Sequence, residues 1–221
     1  MKKRTTMLAL LLATGAGTCL QAQEKLTQFK VRDAITVRTP IMNDSINPKG
    51  EKYADKDLLK TPVVLDLADA PFQVLSTDTA GVLSFPKAEK DHSIYLLETS
   101  LRAERFMTGK LKVTSPARWE IFINGESKMS KENAEDSISG ASTREVNLRL
   151  EPEADYEITI KLLSGSKDKA VPTLKCELIK DDKFKDITCF VSPEQKKRFA
   201  LPNTVYGNRV ICLLYTSPSP R

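Results

Sequence analysis

The stretch VNLRLEPEADYEITIKLL, residues 146–163, decides the fold because apolar and polar side chains alternate along it on both sides of a short turn. Such alternation is typical of strands that bury one face and expose the other. Glu151 and Pro152 stand between the two alternating runs and are typical of a turn. The stretch therefore predicts two half-buried strands, whose apolar faces carry these residues: Val146, Leu148, Leu150, Tyr156, Ile158, Ile160 and Leu162.

The same pattern extends outward in both directions along the chain. Predicted strands cover residues 63–67, 72–75, 82–85, 93–97, 110–114, 119–124, 143–150, 156–163, 173–180 and 187–191. Turn residues separate most of them, and no long helical pattern interrupts them. Many short strands with frequent turns predict an all-β domain over residues 62–200, folded as an antiparallel sandwich or barrel. Residues 127–142 are polar and predict a loop or a single exposed helical turn.

The segment before this domain, residues 23–61, is polar and irregular and predicts an extended amino-terminal lead-in. It contains one strand-like stretch at residues 29–37 and a short helix around residues 55–60. Pro40, Pro48 and Gly50 act as breakers between these two elements.

Phe122 is the exception to an otherwise regular strand. Trp119, Ile121 and Ile123 share one face, and the opposite face is polar apart from Phe122. Phe122 could cover a second layer of structure or mark a binding surface, and we favour packing.

Both ends of the chain predict segments outside the folded domain. Lys2, Lys3 and Arg4 precede a short apolar run, and small residues lead to a cleavage position near Ala22. This order is typical of a secretory signal peptide over residues 1–22, and the run is too short to span a bilayer. We expect export, into a Gram-negative periplasm, and no membrane span.

The last ten residues, CLLYTSPSPR at 212–221, match the conceptual translation of a transposase-type sequencing adapter. The alternative is a natural tail rich in serine and proline. We expect the adapter, with the natural reading frame interrupted near Ile211. Residues 201–211 would then begin a link to a missing downstream domain.

Charge counting changes once these ends are set aside. The chain has 34 basic and 29 acidic residues, a net charge of +5. Removing Lys2, Lys3, Arg4 and Arg221 leaves 30 basic against 29 acidic residues, a net charge near +1. The balance excludes the strongly basic class typical of nucleic-acid partners.

Two of the four cysteines remain, Cys176 and Cys189. A hairpin folded about a centre between Asp182 and Lys183 would place the two cysteines directly opposite each other. The apolar pairs Leu174 with Val191 and Leu178 with Ile187 would lie on the same face. The sequence therefore predicts a candidate disulfide, which would add about 3 kcal/mol by the chain-entropy estimate. Two buried thiols in the core are the alternative.

Residues that carry chemistry are few. His92, the single histidine, lies in a polar stretch and predicts a solvated loop side chain. The sequence lacks a G-x-S-x-G nucleophile turn, a zinc-type cluster, a phosphate-binding glycine loop and an EF-hand loop. The acids at 181–182 and 132–136 are typical of solvated turns. We assign no catalytic, cofactor-binding or metal-binding residue and expect no cofactor.

Three tripeptides, at residues 44–46, 78–80 and 136–138, resemble the Asp-Ser/Thr-apolar acceptor of a bacterial secretory O-glycosylation system. All three fall in predicted loops, where a glycan could be attached.

Two resemblances bear on the family. Residues 95–126, YLLETSLRAERFMTGKLKVTSPARWEIFINGE, followed by 146–163, resemble the jelly-roll modules that accompany secreted hydrolases. The order of signal peptide, DSINPKGEKYADKDLLKTP at 44–62, jelly-roll-like region and FALPNTVYGNRV at 199–210 resembles the amino-terminal region of exported prolyl-oligopeptidase-family serine peptidases, which include dipeptidyl peptidases.

The second resemblance implies a parent enzyme that cleaves short peptides. Its partners within the same chain would be a downstream β-propeller and an α/β-hydrolase domain with a Ser-Asp-His triad. This chain would be its non-catalytic, jelly-roll-like β-domain and inactive alone, since none of the catalytic motifs is present.

The alternative is a carbohydrate- or protein-binding jelly-roll module of another exported protein, and a structural or surface-assembly protein is a third hypothesis. Carbohydrate modules of this kind often expose aromatic platforms. The apolar-face position of Trp119 and the aromatic content of 6% count against such a platform.

Overall fold

The computed structural model describes residues 23–32, 35–37, 50–51, 54–60, 63–65, 73–89, 91–187, 189–192 and 204–206. These residues form an all-β fold, in which two mostly antiparallel sheets lie as a sandwich. The predicted fold class is confirmed.

The strands follow one another along the chain with a single short α-helix among the described residues. In order they are β1 (Gln23–Lys25), β2 (Gln28–Val31), β3 (Ile35–Val37), α1 (Asp55–Leu59), β4 (Val63–Leu65), β5 (Gln73–Ser76), β6 (Val82–Ser84), β7 (His92–Ala103), β8 (Met107–Thr114), β9 (Arg118–Ile123), β10 (Glu126–Lys131), β11 (Thr143–Leu150), β12 (Asp155–Gly165), β13 (Thr173–Lys180), a 3-10 turn (Asp182–Phe184), β14 (Cys189–Ser192) and β15 (Thr204–Tyr206).

Sheet A has the strand order β1-β13-β8-β11, and β6 also pairs with β13. Sheet B has the order β10-β9-β12-β7-β2-β5. The long strand β7 pairs with β12 along one edge, and its other edge is divided among β3, β2 and β14. Strands β4 and β15 form a separate parallel pair.

The core lies between the two sheets and is built by the alternation seen in the sequence. Trp119, Ile121 and Ile160 are fully buried in it, as is Leu150 from sheet A. Each fully buried side chain of this size contributes about 1.5–3 kcal/mol through removal of apolar surface from water.

The opposite face of sheet B carries a second layer. Leu58 and Leu59 of α1 form a separate buried cluster with Ile94, Leu96 and Leu163. Phe122 lies on this side of β9 and is 1% exposed, so the prediction that it packs is confirmed. A helix this short is marginal alone, and this packing stabilises it.

The predicted lead-in belongs partly to the sandwich. β1 pairs with β13 in sheet A, and β2 lies between β7 and β5 in sheet B. The predicted helix is confirmed as α1. The boundary at residue 62 therefore does not separate a lead-in from the domain, because backbone pairing with distant strands recruits the first residues into both sheets.

Two of the ten predicted strands, 143–150 and 173–180, have the predicted bounds, and β7 is longer than predicted. The predicted loop at 127–142 is wrong over its first part, where residues up to Lys131 belong to β10.

The Asn124-Gly125 turn, with φ of 51° and 79°, joins β9 to β10 as a hairpin. Two consecutive positive φ values suit Asn-Gly and match the twist of the flanking strands.

The predicted hairpin over residues 174–191 is wrong. β13 pairs with β8 in sheet A, whereas β14 pairs with β7 in sheet B. The Asp181 side chain accepts a hydrogen bond from the Lys183 backbone N–H at 3.2 Å and starts the 3-10 turn instead. The chain therefore crosses from one sheet to the other rather than folding back on β13.

Candidate binding groove

Two polar clefts border β11, the strand at the edge of sheet A. The first, about 440 Å³, lies between β11, β8 and the end of β13. The second, about 470 Å³, lies between β11 and the hairpin of β9 and β10. Both are bounded by Asn147 and Leu148, and we call the two together the β11 groove. Its other residues are Thr108, Gly109, Lys110, Ile179, Lys180, Asp181 and Asp182 in the first cleft, and Ile123, Asn124, Glu126, Lys128, Arg149 and Tyr156 in the second.

Strand register and a close backbone approach shape the first cleft. Lys110 of β8 lies opposite Asn147 on one side and Ile179 on the other. A Cβ at Gly109 would come within 2.6 Å of the Ile179 carbonyl oxygen, so any larger residue would force β8 and β13 apart. The Asp181 backbone N–H donates to the Thr108 carbonyl at 3.2 Å and fixes the rim.

The β9–β10 turn and its contacts shape the second cleft. The Asn124 side-chain oxygen accepts a hydrogen bond from the Glu157 backbone N–H at 2.8 Å. The Tyr156 hydroxyl accepts one from the Glu151 N–H at 2.9 Å. These bonds hold the half-buried Tyr156 ring at the cleft with its hydroxyl hydrogen still available to a ligand.

Ion pairs satisfy most charges in the groove. Lys110 pairs with Glu145 at 2.8 Å, Lys180 with Glu24 at 2.8 Å, and Lys128 with Glu126. The hydrogen bond from Lys110 lowers the pKa of Glu145, and the bond from Lys128 does the same for Glu126.

Two polar side chains of the groove are left with unused hydrogen-bonding capacity. The Asn147 amide and the Asp182 carboxylate make no hydrogen bond to the described part of the chain. An amide both donates and accepts, and a carboxylate accepts at two oxygens. The groove can therefore bind a ligand that carries several hydroxyl groups.

An aromatic pair flanks the same end of the sandwich. The Arg149 guanidinium lies 5.0 Å from the centre of the Phe106 ring, a cation–π contact. Phe106 meets Phe184 edge to face, with 6.3 Å between ring centres. The sequence pattern did not identify the groove, because its residues come from six separate strands and two turns.

The two cysteines lie in different sheets. Cys176 lies opposite Val113 on β8, and the Cys189 thiol donates to the Met107 sulfur at 3.4 Å. Both are free, buried thiols, so the predicted register that would have joined them is absent. Burial raises the pKa of Cys189 to about 11 and raises that of Cys176 further.

His92 is not the solvated loop residue that the sequence predicts. It begins β7, its side chain is 17% exposed, and its Nε2 lies 3.1 Å from an Asp55 carboxylate oxygen. Asp55 also contacts Arg118, which in turn makes two 2.9 Å bonds to Asp168. This network ties α1 to the ends of β7 and β9 and is structural.

The acidic turn at residues 132–136 forms ion pairs with the rest of the fold through Glu132, Glu135 and Asp136. Glu135 pairs with Lys131 at 3.0 Å and accepts from the Ser142 N–H at 2.7 Å. No group of three potential metal-ligating side chains occurs among the described residues.

Of the three tripeptides, residues 44–46 lie outside the described residues. Thr79 and Ser137 are exposed in turns, as an acceptor of a glycan would need to be.

Over the part of the chain that the structure describes, no helix is both long and apolar enough to cross a membrane.

Comparison with known proteins gives no family. No family model and no curated protein matches the chain. A β-glucosidase from Kluyveromyces marxianus, solved with glucose, is 12% identical with a TM-score of 0.44, over 72% of this chain and 17% of that chain. The PA14 sugar-binding domain of an RTX adhesin is 10% identical with a TM-score of 0.40, over 74% of this chain and 95% of the domain. The PA14 domain of the antifreeze protein MpAFP is 8% identical with a TM-score of 0.34, over 94% of this chain and 98% of that domain.

This chain spans about a sixth of the β-glucosidase, 17% of its length. Because all three TM-scores lie below 0.5, we take neither family nor ligand from these likenesses.

Proposed function

We propose that this β-sandwich is a non-catalytic binding module of a larger exported protein and that it binds carbohydrate in the β11 groove. The observation that carries the proposal is the pair of uncommitted polar side chains, Asn147 and Asp182, in a groove whose three lysines, Lys110, Lys128 and Lys180, are already in ion pairs. A neutral ligand with many hydroxyl groups can satisfy both side chains without displacing an ion pair.

The chemistry of the groove favours sugar over a protein partner. Sugar hydroxyls donate and accept together, as the Asn147 amide does, and Tyr156 offers an apolar ring face beside a polar tip. Protein interfaces instead centre on buried aromatic or aliphatic anchors. The apolar residues of this groove are Leu148, Ile123 and Ile179, of which Leu148 and Ile123 are buried within the sandwich itself.

The binding mode differs from an exposed aromatic platform. Trp119 is fully buried in the core, so it is not available to a ligand. Recognition would depend on hydrogen bonds along a strand edge, with Tyr156 as the ring contact.

Substitution of Asn147 tests the proposal. We expect Asn147→Ala to weaken binding of a neutral oligosaccharide by about tenfold, since hydrogen bonds to the ligand are lost. Calorimetric titration with cello-, xylo- and manno-tetraose measures the effect. Asn133→Ala, an exposed asparagine in the loop before β11, is the matched control and should bind as the parent does. Binding by none of the three sugars, or equal binding by Asn147→Ala, would contradict the proposal.

A serine-peptidase parent is the second candidate, and it rests on the sequence order of residues 44–62 and 199–210. It is compatible with a non-catalytic role for this domain. The uninterrupted gene beyond Ile211 tests it: propeller-blade repeats followed by G-x-S-x-G would support the peptidase, and a stop codon soon after that point would rule it out.

A further inference from the structure

We infer that the β11 groove takes an oligosaccharide of at least two linked sugars, which lies across β11 with one sugar in each cleft. The inference rests on the proposed carbohydrate binding and adds the length and placement of the ligand.

The two clefts are similar in size and meet at the same residues. Their volumes are about 440 and 470 Å³, and each is bounded by Asn147 and Leu148. Asn147 is exposed, and its amide is uncommitted within the described part of the chain. A ligand in either cleft can reach the same amide.

The edge position of β11 leaves the groove open along its length. β11 pairs with β8 on one side, and within the described residues no strand pairs with its other side. An oligosaccharide can therefore pass over the edge strand from one cleft to the other. Sites for single small molecules instead enclose most of the ligand surface.

Each cleft adds a different hydrogen-bonding group. Asp182 supplies an acceptor in the first cleft, while Lys128 and Tyr156 supply donors in the second. One sugar confined to one cleft would use only half of these groups, whereas two linked sugars use both sets and share Asn147.

The test compares chain length and cleft on the full protein. Glucose, cellobiose and cellotetraose are titrated calorimetrically, together with the corresponding xylose and mannose series. The variants are Asp182→Ala for the first cleft, Lys128→Ala for the second, Asn147→Ala for both, and Asn133→Ala as control. Urea unfolding of each variant confirms that it is folded.

We expect the dimer or tetramer of one series to bind at least tenfold more tightly than its monomer. Asp182→Ala and Lys128→Ala should each weaken tetramer binding by about tenfold. If monomer and tetramer bind equally, or if only one of these two variants matters, the two-cleft inference is wrong while carbohydrate binding stands. If no series binds, both proposals are wrong.

Discussion

At the scale of single residues, Lys161 shows how burial changes the chemistry of a side chain. It lies on the outer face of sheet B, opposite Glu120 of β9, and is 1% exposed. Burial lowers its pKa to about 8, and the charge of Glu120 opposes that effect only in part. Lys161 is therefore charged at neutral pH, and burial of that charge lowers the free energy of unfolding.

The lowered pKa of Lys161 predicts that the free energy of unfolding depends on pH. In the unfolded chain Lys161 keeps its proton to about pH 10.4, so between about pH 8 and 10.4 the unfolded state binds more protons and stability rises with pH. The shift corresponds to a free energy on the order of 3 kcal/mol. We expect the free energy of unfolding of the parent to rise over this range, by that order, relative to Lys161→Met.

Urea unfolding at a series of pH values measures the difference. Taking the difference between parent and variant removes the opposing contribution of the buried thiols. The exposed Lys167→Met serves as control and should give a flat difference. If the difference in free energy of unfolding between the parent and Lys161→Met is also independent of pH, the pKa of Lys161 is not lowered in the folded protein.

The cysteines give a second prediction at this scale. Because Cys176 and Cys189 are free and buried, with raised pKa values, both should resist a thiol reagent at pH 8 in the native protein. In urea without reductant, Cys176→Ala and Cys189→Ala should each lower the number of reactive thiols by one. A disulfide would give the opposite result, because replacing one cysteine would release the other and raise the count.

At the scale of elements, α1 depends on the sheet that it covers. Its five residues are too few for independent stability, and Leu58 and Leu59 supply its packing. The pairs of Arg118 with Asp55 and Asp168 fix its first turn, and the Arg118 and Asp168 side chains are each 12% exposed. Removing one partner of a nearly buried pair leaves an uncompensated charge.

Replacing a residue of this network should lower the free energy of unfolding, and the loss should be larger where the charge left without a partner is more deeply buried. We expect Arg118→Met to lower the free energy of unfolding by about 3 kcal/mol, because it leaves the Asp168 charge nearly buried without its partner. Asp55→Asn should cost about 1 kcal/mol, since the Asp55 side chain is 41% exposed and Arg118 keeps Asp168.

Urea unfolding compares both variants with Arg105→Met, an exposed arginine between β7 and β8. Equal stability of Arg118→Met and Arg105→Met would mean that the network does not anchor the helix.

At the scale of the whole molecule, the edge of sheet B carries a buried charge. Lys131 of the edge strand β10 lies opposite Trp119, is 3% exposed, and donates to the Ser115 carbonyl at 2.5 Å. Burial lowers its pKa. A charge on an edge strand disfavours pairing with another chain. The β10 edge is therefore unfavourable for the addition of a further strand.

The faces of the strands could be predicted from the sequence because side-chain alternation is local. Cys176, Leu174 and Leu178 were assigned to one face of their strand, and all three are buried in the core. The buried position of Phe122 and the helix at α1 followed from equally local patterns. Burial of one face depends on residues two positions apart, whatever strand lies alongside.

Only the tertiary structure decided which strands are partners. The apolar faces of β13 and β14 fit a hairpin as well as they fit two different sheets, and the Asp181 cap directs the chain to the second outcome. The same holds for β1 and β2, which join distant strands. It also holds for the β11 groove, whose first cleft combines residues up to 74 positions apart and whose second cleft combines residues up to 33 positions apart. Pairing and grooves depend on contacts between distant segments, and alternation along one segment carries no information about its partner.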